Sequence, residues 1–312
     1  MKREESNIQF GIYLAMFLLI VLLTISFISA GFFDTLKKTI TGKASSQLTN
    51  MSITVSGVNP AVIELVSYIS DTLPTEGTNR SVVFYVTMYD ANGVSDLNDS
   101  SVRANFSKAG EVTRNSSACT LVADIDANRA NYSCNVNIQY WDEIGAWNVT
   151  VEGNDLGNKT TAINGSRSFN ISQLKALVIS PASLTWPAIS PNATNQTSDN
   201  DPTTINNTGN FNGTIDVNAI NLLGESDESY SLPARNFTVG LTSGGGNPEC
   251  GGTAMVNATS TTVTSSVSNT GNLSLGSGVG QEQFYYCLIH VPANLSSQIY
   301  STTTGGGWTI LY

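Results

Sequence analysis

A run of twenty-four uncharged residues near the amino end, Phe10–Phe33 (FGIYLAMFLLIVLLTISFISAGFF), constrains this sequence most. A helix rises about 1.5 Å per residue, so about 20 apolar residues cross the roughly 30 Å hydrocarbon core of a bilayer. The run is apolar on every face, which argues against a buried helix of a water-soluble domain. Residues 1–33 are therefore predicted to be a membrane-directed segment, either a signal peptide or an anchor helix.

Two fates of this segment remain open. Met1–Arg3 carries positive charge ahead of the run, as in a secretory signal, and Ile28–Ala30 followed by Gly31 approximates a small-residue cleavage site. The run exceeds the roughly 7–15 apolar residues of a signal core, which slightly favours retention as an anchor. Both interpretations place the following residues outside the cytoplasm, with residues 34–49 as a polar juxtamembrane linker.

Asn-x-Ser/Thr triplets, the acceptor pattern for N-glycosylation, are strongly enriched. The chain has 32 Asn and 71 Ser plus Thr among 312 residues, and random order would give about 7 triplets. Lys and Arg on both sides of the apolar run leave its orientation ambiguous, but every triplet follows it, so we expect an extracellular carboxyl end. The eighteen candidates are Asn50, Asn79, Asn98, Asn105, Asn115, Asn131, Asn148, Asn158, Asn164, Asn170, Asn192, Asn195, Asn206, Asn212, Asn236, Asn257, Asn272 and Asn294.

Charge is scarce for a chain of this size. Charged residues make up 12 %, against about 25 % in ordinary soluble proteins, so attached sugars would supply hydration that charges do not. The net charge is −10 and no basic block is present. Nucleic acid is therefore not an expected partner.

The four cysteines, Cys119, Cys134, Cys250 and Cys287, agree with an exported protein. Among three possible pairings we predict the two local ones, Cys119–Cys134 and Cys250–Cys287. A disulfide that closes a loop of about 15 residues stabilises by roughly 3 kcal/mol. Zinc is a poor alternative, since the sequence lacks a C-x-x-C pair and has one histidine.

Past residue 50 the sequence pattern is typical of strands. Segments such as SVVFYVTMYD and AWNVTVEG are rich in Val, Tyr and Thr, and turn residues such as Asn92-Gly93 separate them. ACTLVAD and NYSCNVNIQY flank the polar loop 125–130 and predict a hairpin that sets Cys119 opposite Cys134. The pattern therefore predicts an all-β chain past residue 50, with one antiparallel β-sandwich over 50–172.

The stretch YWDEIGAWNVTVEGNDLGN and the earlier MYDANGVSDLND resemble strands and loops of immunoglobulin-like surface modules. ALVISPASLTWPAISPNAT, the turn Thr208–Asn210 and the closing EQFYYCLIHVPANL are similar to another family of surface β-sandwiches. This similarity implies a second β-sandwich over 173–312. The whole layout of leader, Ser/Thr stalk and sequon-rich sandwiches resembles archaeal cell-surface glycoproteins. This resemblance implies two immunoglobulin-like antiparallel β-sandwiches behind an N-terminal signal or transmembrane helix.

Few residues are candidates for catalysis or metal binding. His290 lies in an apolar strand pattern, where a structural role is expected, and no Gly-x-Ser-x-Gly element occurs. Asp124, Asp126 and Asn128 have the oxygen spacing that begins a calcium loop, but Arg129 takes the glycine position and the twelfth-position Glu is missing. This is a weak calcium candidate, and Asp96–Asp99 and Asp199–Asp201 are weaker.

Two further patterns favour structural explanations. The glycine-rich stretch Gly276–Gly280 precedes a strand, whereas phosphate loops precede a helix. Tyr285, Tyr286, Trp141 and Trp147 could stack on a sugar, although strand aromatics more often pack in a core. No catalytic residue is predicted.

The sequence thus predicts a non-enzymatic extracellular surface glycoprotein with a structural or adhesive role in the cell envelope. The alternative is a carbohydrate- or peptide-binding accessory subunit of a secreted enzyme or transport system. Expected partners are the membrane, through the N-terminal helix, and other envelope proteins or glycans, with no cofactor unless calcium binds. The expected location is the cell surface, as a single-pass protein or after release by cleavage.

Overall fold

The computed structural model describes residues 13–20, 59–157, 161–241, 248–275 and 279–312. Residues 13–20 form a helix, α1, whose side chains are all exposed. Apart from α1, the predicted leader and the linker 34–49 lie outside the described residues. Within the described ranges, no helix has both the length and the apolar character needed to cross a bilayer.

The remainder of the described chain is built from antiparallel strands and short 3-10 turns, which confirms the all-β class. The 3-10 turns are Val94–Asp96, Asp99–Ser101, Ala234–Asn236, Pro248–Gly251 and Leu273–Leu275. The strands are β1 Val62–Val66, β2 Arg80–Tyr89, β3 Arg103–Ser107, β4 Arg114–Asn115, β5 Thr120–Asp124, β6 Arg129–Ile138, β7 Gly145–Gly153, β8 Ala162–Ile171, β9 Leu177–Ser180, β10 Thr194–Thr197, β11 Thr203–Asn207, β12 Asp216–Ala219, β13 Leu222–Gly224, β14 Ser231–Leu232, β15 Phe237–Gly240, β16 Thr253–Ala254, β17 Thr259–Thr262, β18 Gln281–His290, β19 Tyr300–Ser301 and β20 Thr309–Leu311.

Strands β1 to β8, called the first half from here on, form two four-stranded sheets around one hydrophobic core. Sheet I has the strand order β1-β2-β6-β5 and sheet II the order β4-β3-β7-β8. Alternation along β2 and β7 turns every second side chain inward, as the period of two in a strand requires. The fully buried Trp147, Tyr132, Phe84 and Phe106 are the largest side chains of this core, with ring centroids of Phe84 and Phe106 5.8 Å apart.

The predicted hairpin over 118–140 is present. Strand β5 pairs antiparallel with β6, with Thr120 opposite Ser133. The next pair in register is Cys119 and Cys134, whose Cα atoms are 4.4 Å apart. This is the spacing of a cross-strand pair without backbone hydrogen bonds, where side chains approach most closely.

Strands β9 to β20, called the second half, surround a separate hydrophobic core whose buried residues lie between Ile205 and Val291. Its largest sheet follows the order β16-β15-β18-β11-β9, and β10 also pairs with β18. Two three-stranded sheets, β17-β12-β20 and β14-β13-β19, complete it. The rings of Trp186, Phe237 and Trp308 pack edge to face, because such contacts match the quadrupoles of aromatic rings.

Residues Asn207–Asn210 join the two halves. The main-chain N–H of Gly77 donates to the carbonyl of Thr208, at 2.9 Å. The side-chain amide of Asn210 donates to the carbonyls of Asp142 (3.0 Å) and Ser172 (3.1 Å) and accepts from the N–H of Leu174 (2.7 Å). Thr208–Asn210, predicted only as a turn, thus provides a buried link between the halves.

The internal contacts of the chain group Ser56–Tyr312 into one compact unit. The domain boundary at 172 and 173 stays a prediction.

We expect alkaline pH to weaken this fold through Tyr132. Burial, followed by its hydrogen bond to Asp99 at 2.7 Å, raises the pKa of the Tyr132 phenol. Because the raised pKa exists only in the folded state, stability is full below about pH 10 and falls as pH rises beyond it. Chemical denaturation between pH 8 and 11 measures this fall, and Tyr132→Phe should flatten it. An equal slope in the variant would contradict the assignment.

Candidate functional site

The structure contains the two disulfides that the sequence predicts, Cys119–Cys134 and Cys250–Cys287. The first joins β6 to the residue before β5, inside the core of the first half. The second joins strand β18 to the turn Pro248–Gly251. Each bond closes a loop within its own half, since the sequence separations are 15 and 37 residues. Such bonds persist in oxidising compartments, which is consistent with an extracellular location.

The sequon asparagines lie where a glycan could be attached. Sixteen of the eighteen are within the described residues, and each is exposed or half-buried; Asn50 and Asn158 lie outside the description. The fully buried asparagines among the described residues are Asn207 and Asn210, and neither begins an Asn-x-Ser/Thr triplet. The acceptor asparagines are therefore accessible, although the triplet Asn206–Thr208 extends into the buried link between the halves.

Sequons are distributed unevenly over the first half. The outer face of sheet II carries four of them, Asn105, Asn115, Asn148 and Asn170, on neighbouring strands. The outer face of sheet I carries one, Asn131.

The outer face of sheet I instead exposes apolar side chains. Val62 and Leu65 on β1, and Val83 and Tyr85 on β2, each have about half of their surface accessible. Sugars on sheet II would leave most of this face as bare protein.

The predicted calcium residues Asp124, Asp126 and Asn128 do not form an open ligand set. One Asp126 oxygen accepts the N–H of Asn128, at 2.8 Å, and the other pairs with Arg129, at 3.1 Å. The amide of Asn128 donates to the carbonyl of Asp90, at 2.8 Å. In the described residues, no group of three or more His, Cys, Asp or Glu side chains could together hold a metal ion. Calcium at this turn stays a prediction without support from the geometry.

The other sequence candidates have structural positions. His290 is exposed at the end of β18, and its carbonyl accepts the side-chain amide of Asn236, at 3.0 Å. Gly280 immediately precedes β18, as the turn interpretation predicts, whereas 276–278 lie outside the described residues. Tyr286 and Trp147 are core residues.

A pair of buried carboxylates was missed by the sequence analysis. Asp90 follows β2 and Asp155 follows β7, and their side chains are 0 % and 2 % exposed. One oxygen of each, Oδ2 of Asp90 and Oδ1 of Asp155, lacks a hydrogen-bond partner. The available signal was an aspartate within two residues of the end of a strand in both sheets, which places two carboxylates at one end of the first half.

The surroundings of this pair are acidic. Burial raises the pKa of Asp90, and the negative charges of Asp96 and Asp155 raise it further, against the lowering effect of the Asn92 N–H. That N–H donates to Asp90 Oδ1, at 2.7 Å, while the Asn92 side chain donates to Asp96, at 3.2 Å. The site therefore combines two buried aspartates with a third, Asp96, that is only half-buried.

No family model matches this chain, and no curated protein is significantly similar to it.

Proposed function

We propose that this chain is a non-enzymatic extracellular surface glycoprotein with a structural or adhesive role in a cell envelope. In this proposal, each half is an immunoglobulin-like β-sandwich outside the cell, either held at the membrane by the N-terminal apolar segment or released after that segment is cleaved. The resemblance to archaeal surface proteins belongs to the same proposal. Catalysis is not part of it, because the described histidine is a peripheral strand residue.

The observation that carries the proposal is the match between sequons and accessibility. Sixteen described sequon asparagines are accessible, whereas the buried Asn207 and Asn210 lack the pattern. Two disulfides agree with the same compartment. Sugars would also hydrate a surface that has few charges.

A structural or adhesive role is supported by the difference between the two faces of the first half. Sheet II presents four sequons, whereas sheet I presents apolar side chains and one sequon. Exposed apolar patches on soluble domains commonly mark contact surfaces. The carbohydrate-binding alternative gains no comparable support, because two of its four aromatic candidates, Trp147 and Tyr286, are buried in the cores.

Peptide mass spectrometry of the native full-length protein tests this proposal. We expect sugar on most of the accessible sequons, including Asn148 on the outer face of sheet II. Asn135 and Asn137, which are exposed on β6 but are outside any triplet, should be unmodified and serve as matched controls. Asn236 should carry less sugar than Asn148, since its side-chain nitrogen already donates to His290. Unmodified asparagine at all sequons would overturn the proposal.

A further inference from the structure

We propose that Asp90 and Asp155 bind a hard divalent cation, calcium in particular, at the end of the first half where β2 and β7 terminate. This inference is independent of the proposed function. It concerns a different place from the turn containing Asp124 and Asp126, whose side chains face solvent.

The backbone brings the two carboxylates together. Leu97 and Asp155 form an antiparallel bridge, and the N–H of Leu156 donates to the carbonyl of Asp96, at 2.6 Å. The N–H of Asn98 donates to the carbonyl of Asn154, at 3.0 Å. The loop after β2 is thereby fixed against the loop after β7, so Asp90 and Asp155 lie at the same end of the first half.

Each carboxylate has an unsatisfied oxygen in a buried position. Asp90 uses Oδ1 to accept the Asn92 N–H, but its Oδ2 has no donor. Asp155 Oδ1 likewise has none. Burying an ionised group without a compensating partner costs several kcal/mol, so native folds rarely keep such groups.

Within the described ranges, no Lys or Arg side chain forms an ion pair with either carboxylate, Asp90 or Asp155. Arg129, at the adjacent turn, pairs with Glu64 at 2.8 Å and with Asp126 at 3.1 Å. Asp96 adds further negative charge nearby. A bound cation would neutralise this cluster and satisfy both free oxygens at once.

The ligand chemistry favours calcium. Carboxylate, amide and carbonyl oxygens suit hard cations, whereas zinc and copper prefer His and Cys, which are absent from this cluster. Since fewer than three acidic side chains converge here, main-chain and amide oxygens and water must complete the shell. Calcium accepts such irregular sets, whereas magnesium demands near-octahedral geometry. With only two carboxylate ligands, the expected Kd is about 10⁻⁴–10⁻³ M.

Thermal unfolding of the full-length protein tests the site. After dialysis against EDTA, calcium chloride added to about 10 mM should raise Tm, because a ligand that binds only the folded state stabilises it by RT ln(1 + [L]/Kd). Magnesium chloride at equal ionic strength should raise Tm less. An absent calcium response, or an equal response to both salts, would overturn the proposal.

Substitutions show which residues are responsible for the calcium-induced shift in Tm. Asp155→Asn should abolish the calcium-induced shift in Tm while leaving the EDTA-treated protein as stable as before or more so, because one of two repelling charges is lost. Asp124→Asn, on the exposed strand β5, is the control and should keep the full shift. A calcium shift that survives Asp155→Asn contradicts the assignment. If Asp155→Asn fails to fold, Asp90→Asn provides the same test.

A shared proton is the competing way to neutralise the pair. In that case the EDTA-treated protein would gain stability on acidification and calcium would leave Tm unchanged at neutral pH. That combination would count against a cation site. A calcium shift at neutral pH that disappears as the medium becomes acidic supports it, because protons and calcium then compete for the same oxygens.

Discussion

Asp142→Ala is expected to lower the free energy of unfolding by about 3–5 kcal/mol, the usual cost of removing one partner from a buried ion pair. Asp142 is 0 % exposed. Its carboxylate accepts the Arg114 Nε–H at 3.0 and 3.1 Å, an N–H of the Arg114 Nη2, and the Gln139 N–H at 2.8 Å. Truncation leaves a guanidinium and a main-chain donor without their acceptor in a place that excludes water.

The neighbouring Glu143 provides a matched control. It also pairs with a cation, Lys108 at 3.3 Å, but its side chain is 58 % exposed. Glu143→Ala should therefore cost at most about 1 kcal/mol, since solvent screens exposed pairs. Urea denaturation of both variants measures the difference. Equal losses for the two would show that burial of Asp142 does not determine its contribution.

The strands of the first half were predictable because local pattern and final environment agree there. Alternation along β2 and β7 encodes a buried face and an exposed face before any partner is known. The hairpin of β5 and β6 was predictable for a related reason, since its partners are separated by a short polar loop. The cysteines at its base then pair without any long-range information.

Long-range proximity was not predictable. Asp90 and Asp155 are separated by about half of the first half's sequence, and each alone is an ordinary aspartate after a strand. Their burial and their missing partners arise only once sheets I and II are packed together. In contrast, the spacing of Asp124, Asp126 and Asn128 was visible in the sequence. In the folded chain, however, the side chain of Arg129 forms an ion pair with Asp126, so this carboxylate is already neutralised.

The role of Asn207–Asn210 shows the same limit. An Asn-Thr-Gly-Asn sequence predicts a turn, because these residues bond locally and tolerate unusual backbone angles. Nothing in that pattern shows that Asn210 will bond to Asp142 and Ser172 in the other half. The link between the halves therefore depends on a segment whose sequence resembles that of a surface turn.

Gly209→Ala tests this link, and we expect it to destabilise the protein by about 3 kcal/mol, at the upper end of the usual cost of overpacking. A Cβ atom at Gly209 would lie 2.2 Å from the carbonyl oxygen of Leu174 and 3.0 Å from the nitrogen of Ala176. Both are main-chain atoms, so no side-chain rotation relieves the overlap. The segment 174–176 must move, and the hydrogen bond from Leu174 to Asn210 is lost with it.

Gly251→Ala is the control, because a Cβ at Gly251 meets no atom within 4 Å. This substitution should change the free energy of unfolding by less than about 0.5 kcal/mol.

Calorimetry distinguishes a local effect of Gly209→Ala from loss of the link between the halves. If Asn207–Asn210 couples the two cores, Gly209→Ala should broaden unfolding into two transitions, since each core has its own buried residues. A single transition shifted to lower temperature would mean that other contacts couple the halves, and an unchanged Tm would show that the segment 174–176 yields at no cost.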